Sequence, residues 1–148
     1  MSLFLPLKRA TLLIPSGPQG DQHRKHLFVL LTDPNDNEFG EKSVLIVSLS
    51  TVKPKLPHDS TCILHPGDHR FVKHKSYVVY QKARLELVEK ICRGVKNGQL
   101  IPHGPMDSNV FARVCQGLMA SRLTPRKLLD FYLKATGQTE TRDQDDIT

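Results

Sequence analysis

The apolar positions of this chain change their period near residue 84. Before it they fall in short, β-branched runs, each closed by turn formers. The runs are LKRATLLIP (7–15), HLFVLLTD (26–33), SVLIVSLSTV (43–52), STCILHPGD (60–68) and RFVKHKSYVVYQKA (70–83). SGPQGDQ, DPNDNEFGE and KPKLPHD separate several of them, and the two prolines of KPKLPHD block a helix there. The pattern predicts five or six short, mostly antiparallel strands with no helix among them, forming a small barrel or curled sheet.

After residue 84 the spacing becomes helical. In ARLELVEKICRGVKNG, residues Leu85, Val88, Ile91, Cys92 and Val95 recur every three or four positions, and Gly98 is placed to end the helix. Pro102 and Pro105 read as a break. Asp107 and Ser108 predict the cap of a second helix through Val110, Phe111, Val114, Cys115 and Leu118. Thr124-Pro125 predicts the start of a third, RKLLDFYLKAT, closed by Gly137. The expected architecture is α+β: a β-barrel domain over 1–84, three helices over 85–138, and an acidic tail, 139–148, expected to be poorly ordered.

Composition narrows the class. A chain of 148 residues that is 39% hydrophobic can bury a modest core, which excludes wholesale disorder. No apolar run approaches the roughly 18 residues of a membrane span, so no membrane partner is expected. The start, MSLFLPLKRA, is apolar first and basic afterwards, the reverse of a secretory signal. Cys62, Cys92 and Cys115 are odd in number and far apart, which suits buried free thiols in a reducing compartment. These features predict a cytoplasmic protein.

Charge is distributed unevenly. Residues 1–84 carry 12 Lys/Arg and 7 Asp/Glu, or +5; residues 85–138 carry 8 and 4, or +4; the last ten carry 1 and 4, or −3. A basic body with an acidic tail attracts nucleic acid or an acidic protein, although the same excess suits a surface kept for solubility.

Among motifs, HPGDHRFVKH holds His65, His69 and His74. Pro66-Gly67 excludes helical HxxxH geometry, and no carboxylate or thiol except Asp68 has ligand spacing, so neither a metal nor another cofactor is expected. Cys62 paired with His65 or His69 as nucleophile and base is weaker than a packed Cys62. GDHR reads instead as a tight turn, from which His69 and Arg70 project. No Walker, GxGxxG, HExxH or GxSxG motif occurs. There remains a basic β surface of Arg24, Lys25, His26, Lys53, Lys55, His69, Arg70, Lys73, His74 and Lys75, with Tyr77 and Tyr80 near in sequence. Cations for phosphates and rings for bases are the components of single-stranded RNA binding.

The order of these segments resembles the MazF/PemK ribonuclease toxins, which are small SH3-like barrels. SGPQGDQHRKHLFVLLTD offers the family's glycine-bearing loop and apolar strand, with Lys25 at its arginine and His26 at its proline. VLIVSLST places Thr51 at the threonine closing the next strand, and SYVVYQKARL matches a later strand from Ser76 to Arg84. The resemblance covers about residues 7–90. It implies an SH3-like barrel, here with the three predicted helices added after it, metal-independent cleavage of single-stranded RNA, a homodimer, and an acidic antitoxin partner. By position, Lys25 or Arg24 takes the cationic role and the Thr51 hydroxyl bonds the phosphate. His69 is a further acid or base, because histidine alone titrates near neutral pH without perturbation. His26, Lys53, Arg70, Lys73, Lys75 and Arg84 complete the expected RNA surface. The alternative is a non-enzymatic SH3-like module that binds nucleic acid or protein.

Overall fold

A computed structural model of the chain describes residues 4–15 and 25–138. Its elements run β1 (Ala10–Pro15), β2 (Lys25–Leu30), β3 (Asn35–Asp36), β4 (Lys42–Thr51), β5 (Ile63–Leu64), β6 (Ser76–Leu87), α1 (Val88–Lys96), β7 (Ile101–Pro105), α2 (Ser108–Ala120) and α3 (Arg126–Ala135). Among the described residues all strand pairings are antiparallel, in the order β5-β6-β4-β2-β1-β7, with β3 pairing the start of β4. The sheet curls as a half-barrel, and three helices complete the α+β fold.

Two expected boundaries are displaced. Residues 83–87 extend β6 instead of opening the first helix, because Ser43–Ile46 of β4 pair with Arg84–Leu87. The segment around Pro102 and Pro105, expected to be a break, is β7, which returns to β1 at the sheet edge, where a missing N–H is tolerated. A boundary at residue 84 therefore falls inside β6, and the strand after α1 rejoins the sheet.

Each face of the sheet has its own core. One face carries Val29, Leu45, Val47, Val78 and Tyr80, packed against Val110, Val114 and Leu118 of α2 and Tyr132 of α3. The other carries Leu12, Phe28, Leu30, Val44 and Ile46, against Ile91 of α1. The α2 helix starts where the sequence predicts: Asp107 accepts hydrogen bonds from the N–H groups of Asn109 and Val110, at 2.9 and 3.1 Å. The α3 helix departs from expectation. Thr124 does not cap it but donates to the Leu118 carbonyl at 2.8 Å, joining α3 back to α2. All three cysteines are free; Cys62 and Cys115 are buried, whereas Cys92 is exposed, contrary to expectation, because it lies on the outer side of α1.

Candidate functional site

The α1 helix leaves part of its sheet face open. Its nine residues span about 13 Å, whereas the ten residues of β4 extend about 33 Å. Beyond the helix this face becomes the floor of a groove of about 630 Å³. Strand register sets the floor: Ile14 opposes His26, Phe28 opposes Ser48, Ser48 opposes Val79, and Ser50 opposes Tyr77. Pro57, His58 and Asp59 from the β4–β5 loop, and Leu123 from the α2–α3 corner, also line it.

A bulge brings in the cation. Val79 pairs near Ser48 and Arg84 pairs with Ile46, so five residues of β6 pass two of β4. Residues an odd number apart on a regular strand face opposite ways. The irregularity reverses that alternation, and Arg84 joins the groove with its guanidinium 5.0 Å from the centre of the Phe28 ring. It also bonds Glu86 at 2.9 Å. Lys82, exposed, lines the same groove.

Two imidazoles lie in the groove with different constraints. His26 Nδ1 is 3.1 Å from the Leu49 carbonyl. A carbonyl only accepts, so Nδ1 carries the hydrogen, and in the neutral ring Nε2 is the nitrogen with the lone pair. His58 leans on Tyr77, with ring centroids 5.2 Å apart, and its Nδ1 is buried with no hydrogen-bond partner among the described residues. Next to it, Asp59 accepts from Ser121 Oγ at 2.6 Å, from Thr61 N at 2.9 Å and from Thr61 Oγ1. Burial works to raise the pKa of Asp59, but these hydrogen bonds and the nearby His58 charge prevail and hold it below the ordinary carboxylate value.

The expected site residues lie elsewhere, apart from His26 and Arg84. Carried outward, the β2–β4 register sets His26 opposite Ser50 and Lys25 opposite Thr51. Lys25 and Thr51 thus come together at the strand ends, but alternation turns them to the α2–α3 face, and neither lines the groove. His69 does not project from its turn. It is 8% exposed, accepts from the Phe71 N–H at 3.0 Å, and places Nε2 3.4 Å from Thr11 Oγ1, away from the groove lining. Arg24 lies outside the described residues. Lys53, Arg70, Lys73 and Lys75 are exposed on two loops joined by a 2.9 Å bond from Val52 N to the Lys75 carbonyl, and no ion pair engages them among the described residues. Lys53 and Lys75 lie just beyond the ends of β4 and β6, whose Ser50 and Tyr77 line the groove, whereas Arg70 adjoins His69, away from it. Among the described residues no group of three or more His, Cys, Asp or Glu is placed to hold a metal ion.

Ser48, Ser50 and His58 were missed by the motif reading. The signal for the serines is their alternation with Val47 and Leu49, which marks a polar half-face in an apolar strand. His58 sits in an irregular loop and leaves no periodic signal. The chain matches no protein-family model, no curated protein and no solved structure.

Proposed function

We propose that the groove binds single-stranded RNA and cleaves it without a metal, as a toxin-like endoribonuclease. The observation that carries this reading is the convergence of two imidazoles, His26 and His58, with Arg84, Lys82 and the Tyr77 ring in one groove. His26 Nε2 takes the proton of a ribose 2′-OH, whose oxygen attacks the adjacent phosphorus. Arg84 and Lys82 stabilise the charge of the pentavalent phosphate. The P–O5′ bond breaks as protonated His58 gives its proton to the leaving oxygen. The products are a 2′,3′-cyclic phosphate and a 5′-hydroxyl. Tyr77 stacks a base, and the Ser50 hydroxyl bonds a phosphate oxygen.

In this reading the exposed loop cations Lys53, Arg70, Lys73 and Lys75 bind the RNA backbone and are the surface an acidic antitoxin segment covers, and the protein acts as a homodimer. A matched pair of oligonucleotides tests it, one all-ribose and one with a single 2′-deoxy position. The expected result is similar affinity for both and loss of the cut 3′ to the substituted sugar. Binding of both without a cut in either assigns the groove to a non-enzymatic binding module.

A further inference from the structure

The loop that carries His58 has no regular structure from Val52 to Thr61, yet it lines a groove in which a catalytic ring must be fixed. Next to His58, one carboxylate ties the loop to the helices. Asp59 receives Thr61 N–H and O–H from its own loop, and from the opposite side the Ser121 hydroxyl, 62 residues away in sequence. Ser121 is 9% exposed, and it is itself held on both sides of that bond. Its N–H reaches the Gly117 carbonyl at 2.8 Å as the last turn of α2 closes, and its Oγ accepts the Leu123 N–H at 3.1 Å. Leu123 in turn lines the groove.

We infer that the α2–α3 corner is the positioning element for His58: through the Ser121–Asp59 bond the helical part of the chain sets the imidazole over Tyr77 and fixes the groove wall. This rests on the catalytic role given to His58 above. Ser121 and Asp59 are positioning residues, since neither is required to touch the reacting atoms. A displacement of about 1 Å at a reacting group can lower a rate by roughly a hundredfold, so the cost of losing the tie belongs in kcat and not in KM.

The test compares Ser121→Ala, Ser121→Thr and Thr124→Val in the full chain. Thr124→Val removes the neighbouring bond to the Leu118 carbonyl and leaves the Ser121–Asp59 bond in place. Each variant is read by thermal unfolding, by kcat and KM on a labelled single-stranded RNA, and by the NMR ring-proton signals of His58. Ser121→Ala is expected to lower kcat roughly ten- to a hundredfold with KM little changed. It should also move the His58 signals, and Ser121→Thr should restore most of both. Thr124→Val should shift the melting temperature alone. Unmoved His58 signals and an unchanged kcat in Ser121→Ala overturn the inference. If the wild type cleaves no RNA, the catalytic reading fails, and the His58 signals alone decide the tie: moved in Ser121→Ala and not in Thr124→Val they support it, and unmoved they overturn it.

Discussion

At the scale of residues, the heaviest demand falls on His26, whose Nε2 is freed by the bond from Nδ1 to the Leu49 carbonyl. His26→Ala is expected to lower RNA cleavage by about 10²- to 10⁴-fold, and Arg84→Ala by roughly 10²- to 10³-fold. Lys25→Ala should stay within severalfold, because that side chain faces away from the groove. Rates on one labelled RNA check all three, and a Lys25 effect as large as that of His26 contradicts the assignment. His69 has a different task. Burial lowers its pKa below the ordinary 6.5, with the His103 and Arg70 charges in the same direction and a hydrogen bond to the His103 backbone opposing. The unfolded chain therefore binds the proton more readily. The stabilisation is complete above about pH 6.5 and is lost as the pH falls through and below that value. Urea midpoints at pH 5 and pH 7.5 should differ more for the wild type than for His69→Gln. The sequence pointed to the ends of β2 and β4, but Lys25 and Thr51 lie on the opposite face of those strands from the groove. Lys25 and His26, or Ser50 and Thr51, are neighbours in the chain, yet one residue in a strand decides which face a side chain occupies. Charge and motif order carry no such parity, whereas the Ser48–Leu49–Ser50 alternation does.

At the scale of elements, the packing of α2 on β6 depends on Gly117. A Cβ at this position would lie 2.0 Å from the Tyr80 hydroxyl oxygen, which donates to the Val114 carbonyl at 2.7 Å. Tyr80 is fully buried and cannot retreat toward solvent without opening the core. Gly117→Ala should cost about 3 kcal/mol, and Asp107→Ala, which removes the α2 cap, about 1 kcal/mol. Chemical denaturation measures both, and equal small losses would count against the close approach. Helix α2 was legible because cap, period and length agree in one segment. Strand β7 was not: Pro102, Gly104 and Pro105 are read locally as breakers, and only pairing with β1 at an edge makes the segment a strand. The continuation of β6 past Arg84 was hidden for a related reason. Leu85 and Leu87 fit a period of two, Leu85 and Val88 fit a helix, and pairing with β4 settles the matter.

At the scale of the whole molecule, charge and groove act together. The body, +5 and +4 in its two parts, presents exposed cations on its loops that no ion pair engages among the described residues, while the last ten residues carry −3 and lie outside the described residues. Removing the chain from Thr139 onward should strengthen RNA binding at low salt and change little at high salt, where charges beyond a Debye length are screened. Equal affinity and an equal salt slope for both forms make the tail a solvated end. No helix among the described residues is long and apolar enough to cross a membrane. The central claim is that the chain's own imidazoles cut RNA in this groove, and end-group analysis tests it most directly. Wild type and His26→Ala are incubated with a labelled single-stranded RNA in excess EDTA. The expected result is 2′,3′-cyclic phosphate and 5′-hydroxyl ends from the wild type, and their near-complete loss in the variant. Intact RNA with the wild type, cleavage that EDTA abolishes, or equal cleavage by His26→Ala contradicts it.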